Sequence, residues 1–282
     1  MLKTKWGRAL LRVIQFLAVL YLGLVLVVFF AQRKLLYHPT RASYEIFLKH
    51  AQARGFEPWR NSAGQFIGWK QISQVKEPHG RLLIVHGNGG CAIDRADYAD
   101  GLKRVAPWDI YILEYPGYGA RGGSPSQKSI FAAASEAMEL LKKDGPVYIM
   151  GESLGTGVAA YLAGAYPEAV GGVLFIAPYH NLTEVAAVHM PIFPVRLMLL
   201  DRYPSWTYLH KYHGPVYMLF AGQDIVVPNR FGRQLFDSYE GPKKFLEVPQ
   251  AGHETLLTET DKWWHDLSEF WKSNAPGTIQ PK

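Results

Sequence analysis

The chain has 282 residues, of which 48% are hydrophobic and 13% aromatic, enough for one large α/β domain with a full core and an additional segment. The formal net charge is +6, but no lysine/arginine run and no nucleic-acid motif occurs, so we expect no nucleic-acid partner. The one cysteine, Cys91, excludes an internal disulfide framework and is interpreted as a small buried apolar residue.

A long apolar run near the N-terminus, residues 13–30, contains no charged residue. At about 1.5 Å per residue, roughly eighteen residues cross a hydrocarbon core about 30 Å thick. Basic residues flank the run on both sides: Lys3, Lys5, Arg8, Arg12, Arg33 and Lys34. A cleaved signal peptide is the alternative, but phenylalanine stands where cleavage requires a small residue. We therefore predict that residues 1–31 form an uncleaved, single-pass anchor in the lipid bilayer.

The distribution of basic residues also bears on the orientation of this anchor. The four basic residues before the run favour an N-terminus in the cytoplasm, whereas Arg33, Lys34 and Arg41 beyond the run weaken that preference. With a cytoplasmic N-terminus the remaining chain lies outside the cytoplasm. We therefore predict an extracytoplasmic catalytic domain, which is periplasmic if the source is a Gram-negative bacterium.

Short apolar stretches alternate with helix-prone stretches along the remaining chain. The predicted strands cover residues 64–72, 81–85, 109–114, 147–150, 172–176, 215–220 and 244–248. The predicted helices cover residues 44–54, 129–143, 158–163, 227–239 and 261–272. This alternation predicts an α/β fold with a mostly parallel central sheet flanked by helices, in one domain of residues 32–274. The last residues, 275–282, are predicted to be a flexible tail.

One segment, residues 178–214, interrupts this alternation because it lies between two strands and is too long for a single crossover. It is rich in apolar residues, among them Val185, Met190 and Leu197. We call it the cap segment and interpret it as a small insertion over the carboxyl ends of the strands, where ligands bind in such sheets. The alternative is an extra packed helix that makes no contact with a substrate.

The sequence Gly-Glu-Ser-Leu-Gly-Thr-Gly at 151–157, which we call the elbow, is the strongest catalytic motif. It lies between a β-prone stretch and a helix-prone stretch, the setting in which Gly-x-Ser-x-Gly presents a serine at a sharp strand-to-helix turn. Side chains at Gly151 or Gly155 would clash in such a turn. We therefore predict Ser153 as the nucleophile, and the alternative is a glycine-rich turn with an incidental serine.

A serine hydroxyl needs a base to take its proton and a carboxylate to orient that base. Asp224 follows the predicted strand 215–220, and His253 follows the predicted strand 244–248. The chain order Ser153, Asp224, His253 is that of α/β hydrolases and differs from the chymotrypsin and subtilisin orders. Taken alone, Asp224 could simply cap a turn and His253 could be a surface histidine. No pair of histidines has ligand spacing, so we expect no metal and no cofactor.

The tetrahedral intermediate of acyl transfer needs backbone N–H donors aimed at its developing charge. Leu154, directly after the nucleophile, supplies one donor. The sequence His-Gly-Asn-Gly-Gly at 86–90, which we call the glycine loop, follows a predicted strand, and the N–H of Asn88 is the second candidate. A dinucleotide site is the rival for these glycines, but the Gly-x-Gly-x-x-Gly spacing is missing. His86 is interpreted as a structural residue that bonds loop backbone.

Together these motifs resemble those of α/β-hydrolase-fold serine hydrolases, in particular the membrane-anchored Bem46- and ABHD-type branch. The resemblance covers roughly residues 32–271 and rests on six motifs in order: Leu-Leu-Tyr-His-Pro at 35–39, the glycine loop, Glu-Tyr-Pro-Gly-Tyr-Gly at 114–119, the elbow, Gly-Gln-Asp at 222–224 and Gly-His at 252–253. It implies the same roles for Ser153, Asp224 and His253, and for Asn88 and Leu154 as oxyanion donors. It also implies hydrolysis of esters or thioesters of acyl lipids.

The sequence thus predicts a membrane-anchored serine hydrolase that cleaves carboxylic esters or thioesters through an acyl-enzyme. The anchor and the apolar cap segment favour lipid-like or acylated substrates presented at the bilayer. One alternative is a serine peptidase or amidase of the same fold, although no propeller precedes the domain. The other is a non-catalytic, membrane-tethered binding protein, although none of the three triad positions has lost its residue.

Overall fold

The computed structural model describes residues 5–256 and 262–274, and the predicted flexible tail at 275–282 lies outside these ranges. The first helix, α1 (Lys5–Leu36), is long and apolar enough, by length and composition, to cross a membrane. It does not end at residue 31, where the sequence predicts the anchor to end, but continues for five residues into the predicted connector.

The strands in chain order are β1 His38–Pro39, β2 Glu57–Arg60, β3 Phe66–Gln71, β4 Arg81–Val85, β5 Gly89–Gly90, β6 Asp109–Leu113, β7 Val147–Glu152, β8 Val170–Ile176, β9 Val216–Ala221 and β10 Lys243–Val248. Eight of them form one sheet in the order β10-β9-β8-β7-β4-β6-β3-β2, and β1 and β5 form a separate parallel pair. From β10 to β6 all neighbouring strands are parallel, whereas β3 pairs antiparallel with both β6 and β2.

The α-helices after α1 are α2 Tyr44–Ala53, α3 Ala96–Lys103, α4 Gln127–Leu141, α5 Leu154–Ala165, α6 Leu182–His189, α7 Val195–Met198, α8 Ser205–Leu209, α9 Asn229–Ser238 and α10 Lys262–Ser273. Short 3₁₀ turns occur at Ala92–Arg95, Lys142–Asp144 and His253–Thr255. Helices α4, α5 and α9 contribute to one apolar cluster, and α2, α3 and α10 contribute to a second.

The central strands are apolar on both faces because both faces of the sheet are buried. In β4, Leu83 and Val85 belong to the first cluster, and Leu82 and Ile84 belong to the second. All four side chains are completely buried. Continuous apolar runs are expected where helices cover both sides of a parallel sheet. The predicted α/β architecture, a mostly parallel central sheet flanked by helices, is therefore confirmed.

Outside the cap segment, four elements were not predicted from the sequence: β1, β2, β5 and α3. The edge strand β2 contains Pro58 and charged residues, which hide its strand character. The pair β1–β5 has only two residues in each strand and joins segments about fifty positions apart, so neither strand carries a periodic pattern. Helix α3 contains Gly101, which lowers helix propensity but is required because any side chain there would overlap the indole of Trp264.

The cap segment forms three short helices that contact different partners. Helix α8 packs tightly on α5, where Gly164 allows close approach to the backbone of Tyr208. The region of α6 and α7 lies along α1 instead. Gln32 of α1 donates to the carbonyl of Met198 at 3.3 Å, and Arg33 pairs with the buried Asp201 at 3.0 Å. The cap segment is thus joined to both the hydrolase core and the N-terminal helix.

Candidate active site

The elbow forms the sharp turn between β7 and α5. Ser153 has a φ of 49°, in the left-handed region that non-glycine residues rarely adopt, and its N–H donates to the carbonyl of Ile176 at 2.9 Å. A side-chain atom at Gly151 would overlap the carbonyl of Gly155, and one at Gly155 would overlap the carbonyl of Val85. The two glycines therefore let α5 pass close to β7 and β4, and the turn holds the serine at the strand end.

The side chains of Asp224 and His253 reach Ser153 from two further strand ends. His253 Nε2 lies 3.0 Å from Ser153 Oγ, and His253 Nδ1 lies 2.7 Å from Asp224 Oδ2. The other oxygen of Asp224 accepts from the N–H groups of Val226 at 2.9 Å and Val227 at 2.7 Å. The carboxylate is therefore held from both sides, and it orients the imidazole toward the serine.

These residues converge because β4, β7, β9 and β10 all run in the same direction. The carboxyl ends of parallel strands meet at one edge of a sheet, where such folds place their ligands. The glycine loop follows β4, Ser153 follows β7, Asp224 follows β9 and His253 follows β10. The three residues predicted as a triad thus share one hydrogen-bonded chain, although 100 positions separate Ser153 from His253.

The two candidate oxyanion donors flank this serine. Leu154 is the first residue of α5, where a backbone N–H has no partner within the helix. A side-chain atom at Gly87 would lie 3.6 Å from Ser153 Cβ, so the glycine loop passes directly beside the serine. Among the described contacts, the N–H groups of Asn88 and Leu154 donate no hydrogen bond to protein. Both donors are available to a ligand oxygen.

Residues far away in the sequence hold the glycine loop. Asn88 Nδ2 donates to the carbonyl of Leu36, the last residue of α1, at 2.8 Å. The carbonyl of Asn88 accepts from His38 N at 2.9 Å and from the hydroxyl of Tyr118 at 2.7 Å. Tyr115 donates to the carbonyl of His86 at 2.8 Å. The motif at 114–119, one of the six motifs of the resemblance, therefore supplies two tyrosines that donate to carbonyls of this loop.

Two buried titratable side chains lie next to the glycine loop. His86 Nδ1 lies 2.9 Å from the carbonyl of Gly87, so His86 contacts loop backbone as predicted. Burial lowers the pKa of His86 to about 3 and raises the pKa of Glu114 to about 8. His86 Nε2 and Glu114 Oε1 are 3.6 Å apart, and burial favours the neutral form of both groups.

An ion pair that the sequence did not indicate lies on the other side of the serine. Arg95 Nε donates to Glu152 Oε2 at 2.7 Å, and both side chains are about 15% exposed. Glu152 directly precedes Ser153, and the guanidinium of Arg95 also lies next to Gly87 and Gly90. The pair joins the elbow to the glycine loop. Because Arg95 and Glu152 are 57 positions apart, no local pattern could have identified it.

The environment of His253 changes its affinity for protons. Burial disfavours the charged imidazolium, but the hydrogen bond from His253 to Asp224 and the negative charge of Asp224 outweigh burial and raise the pKa of His253 above 6.5. A carboxylate that stabilises the imidazolium is suited to a base that must hold a proton during a reaction.

No group of three or more histidine, cysteine, aspartate or glutamate side chains able to hold a metal ion occurs in the described part of the chain. The expectation that no metal or cofactor is needed stays a prediction.

Comparison with known proteins agrees with this fold. A profile of the α/β-hydrolase fold matches residues 80–208. An uncharacterised protein of Mycobacterium tuberculosis is 30% identical over 249 residues, which are 86% of this chain and 88% of that protein. The lysophosphatidylserine lipase ABHD12 of Danio rerio is 28% identical over 204 residues, 64% of this chain and 52% of the lipase.

Solved structures show the same architecture at lower identity. An esterase of Pyrococcus furiosus has a TM-score of 0.63 and 13% identity, and the match covers 85% of this chain and 98% of the esterase. The sheet order, the strand-end site and the relatives together define a hydrolase class. The chain belongs to the α/β-hydrolase family, and its predicted resemblance to the ABHD-type members is confirmed.

Proposed function

We propose that the protein is a membrane-tethered serine hydrolase that cleaves carboxylic esters or thioesters of lipid-like or acylated compounds. The observation that carries this proposal is the chain of hydrogen bonds from Ser153 through His253 to Asp224, at 3.0 and 2.7 Å. Relatives named as a lipase and an esterase support an ester as the substrate class.

In the acylation step, Ser153 Oγ attacks the carbonyl carbon of the substrate and its proton passes to His253 Nε2. Asp224 stabilises the imidazolium that forms. The carbonyl oxygen becomes an oxyanion, which accepts hydrogen bonds from the N–H groups of Asn88 and Leu154. The imidazolium then gives its proton to the departing alcohol or thiol, and the acyl group remains on Ser153.

In the deacylation step, His253 takes a proton from water while the water oxygen attacks the acyl carbon. The same two N–H groups stabilise the second oxyanion, and Ser153 departs with the proton from His253. The products are a carboxylic acid and the free enzyme. Every proton transfer in this mechanism passes through the imidazole of His253, which is held between Ser153 and Asp224.

We also propose that α1 tethers the protein to the bilayer, with the N-terminus in the cytoplasm and the catalytic domain outside it. The length and composition of α1 support a single membrane span. The basic residues Arg8 and Arg12 before the apolar run support this orientation. The test is a C-terminal fusion to a reporter enzyme that is active only in the cytoplasm. This fusion should be inactive, and an active fusion would contradict the proposed orientation.

Labelling with a fluorophosphonate, which phosphonylates activated serines, tests the catalytic proposal. The full chain in detergent should label at neutral pH, and Ser153→Ala should not label. Ester hydrolysis should fall at least about 10⁴-fold in the same variant, since the nucleophile is lost. The exposed Ser62 provides the matched control, and Ser62→Ala should label like the original chain. Equal labelling of Ser153→Ala, or none of the original chain, contradicts the proposal.

A further inference from the structure

An apolar groove lies between the N-terminal helix and the cap segment. Its walls come from three elements, and its representative lining residues are Val28 and Leu36 of α1, Ala186 of α6, and Met190, Val195 and Met198 in or beside α6 and α7. The polar side chain in the lining is that of Gln32, which donates to Phe29 and Met198 and accepts from Leu200. The groove therefore presents almost no unpaired polar group.

Leu36, in the wall of the groove, is hydrogen-bonded to the glycine loop of the candidate active site. Leu36 lines the groove and also packs against the apolar cluster that contains Leu154. Its carbonyl accepts the hydrogen bond from Asn88 Nδ2, so the groove wall and the candidate oxyanion donor are directly connected. Helix α6 makes a second connection, because His189 Nε2 lies 2.8 Å from the carbonyl of Val226, in the loop that holds Asp224.

Beyond the groove, contact between α1 and the cap segment continues toward the middle of the apolar run. Tyr21 of α1 donates to the carbonyl of Ile192 in the cap segment at 2.7 Å. Tyr21 precedes Leu36 by about 22 Å along the helix, at 1.5 Å per residue. If residues 13–30 fill the hydrocarbon core, then the cap segment around Ile192 lies at the level of the acyl chains and not in water.

The outer surface of the cap segment fits that position. Its large apolar side chains that are more than two-fifths exposed are Val188, Ile192, Leu197, Leu200 and Trp206. Ile192 and Leu200 are hydrogen-bonded through their backbone to α1, whose own apolar side chains are also exposed to the surroundings. An apolar surface continuous with a membrane-spanning helix is the feature expected where a protein contacts lipid.

We propose that the groove is an acyl-chain site, in which α1 forms one wall and the chain of an ester lipid enters from the bilayer with its ester group toward Ser153. This inference rests on the proposed function. The groove volume of about 100 Å³ is smaller than the roughly 150 Å³ apolar cavity that accepts benzene. It therefore takes a short part of one chain, while the rest remains in the lipid. A second copy of the protein or a helix would not fit.

The test compares substitutions on adjacent positions of α1. Val28 lines the groove, whereas Val27 is 64% exposed and does not line it. The full chain is placed in lipid nanodiscs, and kcat/KM is measured for para-nitrophenyl decanoate and for para-nitrophenyl acetate. Val28→Trp should lower the decanoate-to-acetate ratio at least about tenfold, because several methylene contacts are lost. Val27→Trp should leave this ratio within about twofold of the original chain.

A second pair of variants changes the opposite wall of the groove, so that the test does not depend on whether a tryptophan at position 28 displaces α1. Ala186→Phe fills the groove from α6, and Val188→Phe adds the same side chain on the exposed face of that helix. Ala186→Phe should lower the ratio like Val28→Trp. If the decanoate-to-acetate ratio is the same in the groove variants and in their controls, and fluorophosphonate labelling persists, then the acyl-chain site is overturned. Loss of labelling in the original chain would instead refute the proposed catalytic function.

Discussion

The elbow contains the proposed nucleophile and the glycine loop passes beside it, but the two regions are built in different ways. The elbow is one continuous stretch, 151–157, whose shape depends on its own glycines and on the adjoining strand ends. The glycine loop depends on Leu36, His38 and Tyr118, which come from three other parts of the chain. The nucleophile is therefore positioned locally, whereas the second oxyanion donor is positioned by tertiary contacts.

Because the two regions are held by different kinds of contact, we expect them to tolerate different substitutions. In the elbow the limiting contacts are with backbone atoms, which cannot move without shifting β4 or β7. In the glycine loop the limiting contacts are hydrogen bonds to the carbonyl of Asn88 from the backbone N–H of His38 and the hydroxyl of Tyr118, and removal of one donor leaves the other in place. We expect changes in the elbow to reduce stability and changes around the loop to reduce catalytic rate.

The largest expected effect is in the elbow. A methyl group at Gly155 would overlap the carbonyl oxygens of Val85 and His86, so Gly155→Ala forces the end of β4 to move. Alanine gains about 1 kcal/mol of helix propensity, but the overlap outweighs it. We expect a net loss of at least about 2 kcal/mol in the free energy of unfolding. Thermal unfolding in detergent should show Tm lowered by roughly 4–8 °C.

Gly89 in the glycine loop is the matched control for this substitution. A methyl group there would meet no atom within 4 Å, and its φ lies outside the left-handed region. Gly89→Ala should change the free energy of unfolding by less than about 1 kcal/mol. If the two alanine variants lose equal stability, the contrast between a backbone-limited elbow and a tolerant loop is incorrect.

A smaller effect is expected from Tyr118→Phe, which removes the hydroxyl donor to the carbonyl of Asn88. The loop keeps its bond from His38, so the fold should persist while the N–H of Asn88 becomes less well oriented. One such hydrogen bond is worth about 1 kcal/mol, so kcat should fall about fivefold to tenfold, with KM nearly unchanged. Steady-state kinetics with para-nitrophenyl acetate measure both constants.

Tyr148→Phe is the control for a generic loss of a tyrosine hydroxyl. Tyr148 is also buried, but it lies near the amino end of β7, away from the strand ends that carry the site. Its kinetics should match those of the original chain. An unchanged kcat in Tyr118→Phe would mean that the tyrosine does not orient the loop.

The last prediction concerns the pH dependence set by His253 and Asp224, whose expected signature is a modest shift of the midpoint. The base must be neutral to accept the serine proton, so kcat/KM should fall on acidification through the pKa of His253. Because Asp224 raises that pKa above 6.5, the midpoint should lie above pH 6.5, and the rate should drop about tenfold per pH unit below it. A pH profile of kcat/KM between about pH 5 and 9 measures the midpoint.

The same profile distinguishes the two regions. Tyr118→Phe acts on the glycine loop and not on the imidazole, so it should lower the whole curve without moving its midpoint. A midpoint below 6.5 in the original chain would show that burial, and not Asp224, dominates the proton affinity of His253.

Much of the fold could be predicted from local patterns. The central strands β4, β7, β8 and β9 are mostly apolar runs because helices bury both faces of the sheet, and such runs are visible in the sequence. The candidate triad could also be predicted, because each member follows a strand and the carboxyl ends of parallel strands meet at one edge of the sheet. The need for glycines in the elbow could be predicted because the steric limits on a tight turn are local.

The supports of the site could not be predicted in this way. The contacts of Asn88 with Leu36, of Arg95 with Glu152 and of Tyr37 with Tyr203 join residues 52, 57 and 166 positions apart. No short-range periodicity encodes such pairs, because they form only when the sheet brings distant segments together. The upward shift in the pKa of His253 likewise depends on the balance between burial and Asp224 in the folded chain.

The N-terminal helix shows the same division. Its apolar length follows from composition, because a long uncharged run is suited to a hydrocarbon core. That this helix continues to Leu36, contacts the cap segment at Ile192 and supports the glycine loop through Asn88 was decided by packing alone. Backbone sterics and hydrophobic periodicity act over a few residues, so their effects can be predicted from the sequence. Contacts between distant segments form only in the folded protein, so local sequence does not predict them.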